Sequence, residues 1–125
     1  MEDKIKVLLI EDDKFLSEMY ATKLTDSGFD VETAFDGEEG LAKVKDFSPR
    51  LAFLDIVLPK KDGFEVLKEL QNGGFLKKTK VIALTNLGQK EEVERGFALG
   101  ASDYIIKAHF TPTEVVAKAK KLLGI

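Results

Sequence analysis

The stretch Val7-Leu8-Leu9-Ile10-Glu11-Asp12-Asp13 runs four apolar residues straight into three carboxylates. A strand with one wet face alternates apolar and polar side chains. A strand covered on both faces is apolar throughout, as parallel strands flanked by crossover helices are. Val81-Ile82-Ala83-Leu84 repeats the buried pattern, whereas Phe29-Asp30-Val31-Glu32-Thr33 alternates, as an edge strand can. Strands are thus expected over Ile5 to Ile10, Phe29 to Ala34, Leu51 to Leu54, Val81 to Leu84 and Tyr104 to Ile106.

Helical patterns fill the intervals. Lys14 to Ser27 spaces Phe15, Leu16, Met19, Tyr20 and Leu24 as one face, with Gly28 as its stop. Asp36 with Glu39, and Asp62 with Glu65, read as capping boxes that open the second and third helices. A fourth helix is expected over Gln89 to Leu99, stopped by Gly100. A fifth starts at Thr111-Pro112 with Glu114 as box partner and ends at Leu123. Five strands alternating with five helices, at about 25 residues per unit, imply parallel strands joined by right-handed crossovers. A closed barrel needs eight units. The expectation is an open α/β sheet, its first strand interior and its second at an edge.

Composition narrows the chemistry. With 19 basic against 22 acidic residues the net charge is −3, which argues against binding nucleic acid or an anionic membrane by bulk charge. The absence of cysteine excludes disulfides, thiolate metal sites and cysteine nucleophiles. A single histidine, His109, leaves no multi-histidine metal site. No apolar run approaches the roughly 20 residues of a membrane span. The charged start from Met1 to Lys6 has no signal-peptide core. These features lead to the expectation of one soluble, cytoplasmic domain over residues 1–125, working through oxygen ligands, Lys and Thr.

In an open α/β sheet, ligands sit beyond the carboxyl ends of the strands. There the chain places Glu11, Asp12 and Asp13 after the first strand and Asp55 after the third. Thr85 ends the fourth and Lys107 follows the fifth. Carboxylates brought within a few Å repel, so one takes up a proton unless a cation neutralises them. Hard oxygen donors select Mg²⁺, with Mn²⁺ or Ca²⁺ as substitutes. A divalent ion together with Lys107 suits a dianionic phosphoryl group, with a hydrogen bond from Thr85. Asp55 could then serve as the nucleophile toward phosphorus.

Four runs, each ending a strand, carry a resemblance that spans nearly the whole chain. They are Leu8-Leu9-Ile10-Glu11-Asp12-Asp13, Leu54-Asp55-Ile56-Val57-Leu58-Pro59 with Asp62-Gly63, Ala83-Leu84-Thr85, and Gly100-Ala101-Ser102-Asp103-Tyr104-Ile105-Ile106-Lys107. Together they resemble the receiver domain of two-component response regulators. The resemblance implies a flavodoxin-like, doubly wound sheet of order 2-1-3-4-5. It implies Asp55 as phosphoacceptor, fed by a sensor histidine kinase or phosphotransfer protein. Asp12 would bind Mg²⁺ directly, Glu11 mostly through water, and the Val57 backbone carbonyl would complete the protein ligands. Thr85 and Tyr104 would form a switch pair that reshapes the face of the fourth helix, fifth strand and fifth helix for a downstream protein. The chain would then be no enzyme beyond its own phosphoryl transfer and slow self-dephosphorylation. It would also lack an output domain and direct nucleic-acid or membrane contacts, and be a monomer or a weak phosphorylation-dependent dimer.

The chain departs from the family pattern at several positions. Ala108 stands where the family usually has a proline after the lysine, so that peptide bond is either trans or a costly non-proline cis bond. Asn86 replaces a very small residue. Val57 and Leu87, at positions that tune hydrolysis in the family, are both apolar, which leads to the expectation of slow dephosphorylation. Two other readings compete. A small flavodoxin-like cofactor or phosphatase domain needs a phosphate cradle after the first strand, where the acidic run stands instead. A degenerate receiver acting only as an interaction module predicts loss of Asp55 or Lys107, and both are present.

Overall fold

A helix start leaves backbone N–H groups without partners, and in this chain side chains supply acceptors at four of the five long helices. The computed structural model describes residues 3–86 and 88–125. Asp13 Oδ1 accepts from Leu16 N at 3.1 Å to open α1 (Lys14–Asp26). Asp36 accepts from Glu39 N at 2.8 Å before α2 (Gly37–Phe47), and Asp62 from Glu65 N at 2.9 Å before α3 (Gly63–Asn72). Thr111 and Glu114 form a full capping box at α5 (Pro112–Leu123). At α2 the box is altered: Glu39 reaches past Asp36 to the N–H of Phe35, at 2.7 Å. The fourth helix, α4 (Lys90–Ala98), follows Gln89 with no side-chain cap.

The strands are β1 (Lys6–Ile10), β2 (Asp30–Ala34), β3 (Leu51–Asp55), β4 (Lys80–Thr85) and β5 (Asp103–Ile106). All pairings are parallel and the order is β2-β1-β3-β4-β5. The doubly wound arrangement is therefore as read from the sequence, with β1 interior, β3 at the centre and the alternating β2 at an edge. Side-chain alternation sorts the core into two layers. Val7, Leu9, Phe53, Ile82 and Leu84 join Tyr20 and Leu24 of α1 and Val115 and Ala119 of α5 on one face. Leu8, Ile10, Leu54 and Val81 meet Leu41 and Val44 of α2 and Val66, Leu67 and Leu70 of α3 on the other. A smaller cluster of Ile56, Phe64, Ala83 and Tyr104 lies under α4.

Phe15 departs from the expected apolar face and is 75% exposed. Nine residues separate it from the buried Leu24, about 180° around the helix at the α-helical turn angle, so α1 cannot bury both. The buried stripe runs through Ser17, Tyr20 and Leu24 instead. No cis peptide bond occurs among the described residues, and Lys107–His109 forms a 3₁₀ turn. The trans alternative at Ala108 is the one observed. No helix among the described residues is long and apolar enough to cross a membrane.

Candidate functional site

The carboxyl ends of β1, β3, β4 and β5 lie side by side, and this sets the site. Register pairs Ile10 with Leu54, Asp55 with Leu84, and Thr85 with Ile106. The next residues along are therefore delivered to one end of the sheet. Glu11, Asp12 and Asp55 each place a carboxylate oxygen within 4.8 Å of the others. Asp13 stands apart from this trio as the cap of α1. Glu11 and Asp55 are buried, Asp12 is exposed, and Thr85 is buried at the end of β4.

Lys107 is the counter-charge. Its Nζ lies 2.8 Å from Asp55 Oδ2 and 2.5 Å from Glu11 Oε1, with all three side chains less than a tenth exposed. The second oxygen of Asp55 accepts the backbone N–H of Val57 at 3.1 Å, and Glu11 Oε2 accepts that of Asp13 at 3.1 Å. Both oxygens of Asp55 are thus held, and its orientation is set before any ligand arrives. Ala108 does not displace the lysine from this position.

The electrostatics follow from burial and crowding. Burial pushes the Glu11 carboxyl up, the Asp55 carboxylate pushes it further, and Lys107 opposes both. Burial and then Glu11 raise Asp12. Burial lowers the Lys107 ammonium, but its contacts to Asp55 and Glu11 outweigh this, and its pKa ends above the ordinary value. Three carboxylates against one ammonium leave two formal negative charges, all on hard oxygen donors. That donor set and charge fit a divalent cation of the Mg²⁺ class.

Tyr104 is buried in the cluster beneath α4, and Thr85 is its neighbour at the end of β4. Burial raises the phenol pKa while the Thr85 side chain opposes the rise. Two glycines contribute: Gly63, whose role the sequence does not show, and Gly96, which the sequence marks only as a weak point midway in the fourth helix. Gly63 opens α3 against the end of β3: its N–H donates to Ile56 O at 2.8 Å, and a Cβ there would lie 2.6 Å from Ile56 Cα. Gly96 of α4 faces the Tyr104 ring. A glycine directly after the Asp62 cap is the only hint of the first in the sequence. Leu87 lies outside the described residues.

The response regulator receiver domain family matches residues 7–120. The chain belongs to that family. This receiver domain is 37% identical over 118 residues to the DNA-binding dual master transcriptional regulator RpaA of Synechocystis sp., covering 94% of this chain and 48% of that protein. The chain spans about half the length of the curated relatives it matches. Its fold superimposes on a CheY-like receiver domain protein from Methanospirillum hungatei with a TM-score of 0.90 at 29% identity, covering 98% of this chain and 95% of that one. The CheX–CheY–BeF3–Mg complex from Borrelia burgdorferi gives 0.87 at 28% identity, covering 95% and 89%.

Proposed function

We propose that this receiver domain is a phosphorylation switch in which Asp55 takes a phosphoryl group from a phosphohistidine on a sensor kinase or phosphotransfer protein. The observation that carries this reading is the position of Asp55. It is buried, fixed at both oxygens, and within reach of two further carboxylates and one ammonium. An Asp55 oxygen attacks phosphorus, a P–O bond forms as the P–N bond breaks, and the imidazole leaves with the bonding pair. Glu11, Asp12, Asp55 and the Val57 backbone carbonyl would hold Mg²⁺, or Mn²⁺ in its place. When bound, the ion supplies positive charge against the phosphoryl oxygens. A related CheY from Borrelia burgdorferi is described with BeF3 and Mg²⁺, which supports this assignment.

Lys107 stays beside the acyl phosphate and offsets its charge. Thr85 donates its hydroxyl to a phosphoryl oxygen and moves with it, and Tyr104 fills the space behind. Phosphorylation adds about −1.5 to −2 charge to the pocket, a perturbation large enough to shift a two-state equilibrium. The element that responds is α4, which lacks a side-chain cap and carries Gly96. The face of α4, β5 and α5, where Phe97 is 46% exposed, would then meet the downstream protein.

The test is intact mass after incubation with acetyl phosphate and Mg²⁺. Wild type gains one phosphoryl group, and EDTA or Asp55→Ala removes the gain; uptake that survives either change contradicts the proposal. The lifetime of the product is a separate prediction. Val57 is apolar and 73% exposed beside Asp55, so its side chain cannot orient an attacking water. Val57→Asn is expected to shorten the phosphoryl half-life, followed as loss of phosphorylated mass over time. An unchanged half-life would remove Val57 from the account.

A further inference from the structure

The sheet ends at β2, and α2 reaches over part of that edge. Asp30 N donates to Ile5 O at 2.9 Å and Glu11 N to Ala34 O at 3.0 Å. In a parallel ladder this turns the backbone polar groups of Asp30, Glu32 and Ala34 toward β1 and those of Val31 and Thr33 outward. Lys43 Nζ donates to the outward carbonyl of Thr33 at 2.6 Å. Glu39 Oε1 accepts the N–H of Phe35, the next outward donor, at 2.7 Å. Lys43 also lies 4.0 Å from the half-exposed Glu32.

We propose that Lys43 and Glu39 hold the β2 edge closed against a second copy of this chain, and that antiparallel β2–β2 pairing is the docking mode they block. The edge is self-complementary in its backbone. A two-fold axis at Glu32 sets Val31 of one copy opposite Thr33 of the other, and each such pair exchanges two N–H to C=O bonds. One of the two acceptors is Thr33 O, the atom Lys43 occupies. Glu32 meets Glu32 of the second copy at the closely spaced, non-hydrogen-bonded position, where like charges repel. Glu39 ends the pairing at Phe35. An open strand edge invites pairing with another chain, and charged side chains are a common means of closing it.

Because the chain has no cysteine, Glu32→Cys is a reporter for the axis. Across a β2–β2 pair the two Cα atoms would lie about 4.5 Å apart, within disulfide range. Under mild oxidation, Glu32→Cys with Lys43→Ala should form the disulfide dimer about tenfold faster than Glu32→Cys alone, the size expected from freeing a backbone acceptor. Lys43→Met, which keeps the apolar stem, should give the same acceleration and serves if the alanine variant unfolds. Equal or slower dimer formation without Lys43 overturns the proposal. So does the same acceleration at a Lys78→Cys control in the loop before β4.

Discussion

Asp55 shows what single residues contribute to this molecule. A lone carboxylate at a strand end is an ordinary solvated group. Here Val57 N–H holds one oxygen and Lys107 the other, so the side chain is ordered in advance of reaction. Gly63 is the less visible requirement. Its backbone packs against the end of β3, where any side chain would collide with the Asp55–Ile56 backbone. Gly63→Ala is therefore expected to cost about 1–3 kcal/mol, as overpacking does, read by denaturant unfolding. It should also displace Asp55 and reduce phosphoryl uptake. A variant of wild-type stability and uptake would show that the loop yields freely. Asp55, Lys107 and Thr85 were legible in the sequence because Asp55 and Thr85 end strands and Lys107 directly follows one. The part played by Gly63 was not, since it depends on which backbone lies opposite.

At the scale of elements, caps and apolar runs made the five units readable. Asp13, Asp36, Asp62 and Thr111 each open a helix where the sequence indicates one. Asp36 illustrates how charge adds to a cap. The Glu39 N–H bond and then Lys60 hold its carboxyl below the usual range. A depressed folded pKa means that the ionised form stabilises the fold, and that this contribution disappears as pH falls through the folded value. Asp36→Asn keeps the acceptor and loses the charge. Wild type should therefore be more stable than Asp36→Asn at neutral pH, and the two should converge below the usual carboxylate range. A constant difference across the titration would assign the effect elsewhere. Helix α4 is the counter-example, uncapped and carrying Gly96. A Cβ there would lie 3.7 Å from Tyr104 Cε2, an ordinary contact. Gly96→Ala should thus stabilise α4 by up to about 1 kcal/mol, measured as slower amide hydrogen exchange across the helix; faster exchange would mean that Tyr104 needs the space. At Phe15 the apolar pattern misleads, because this residue lies on the far side of the helix from Leu24 and is exposed. Of the two edge contacts of α2, that of Glu39 is the capping box read from the sequence, shifted by one residue to Phe35, whereas that of Lys43 with Thr33 leaves no sequence signal.

At the scale of the whole molecule, the two core layers grip the sheet from both faces and bring four strand ends together. The fold places the acidic trio and Lys107 at one end, and Tyr104 carries the cluster from the pocket floor to the underside of α4. An event at the pocket thus has a packed route to a surface. The fold and most of the site were readable because the topology of a parallel sheet dictates where strand ends go. How α4 packs on Tyr104 was not readable, because that contact depends on tertiary placement. The account stands on the assignment of Asp55 as the residue that carries the phosphoryl group. The direct measurement is borohydride trapping after acetyl phosphate treatment, followed by peptide mapping. Reduction of an acyl phosphate converts the aspartate that bears it to homoserine. The account predicts homoserine at position 55, present with Mg²⁺ and absent with EDTA. Homoserine at position 12 or 13 instead, or an unmodified Asp55 in protein that has gained phosphoryl mass, would contradict it.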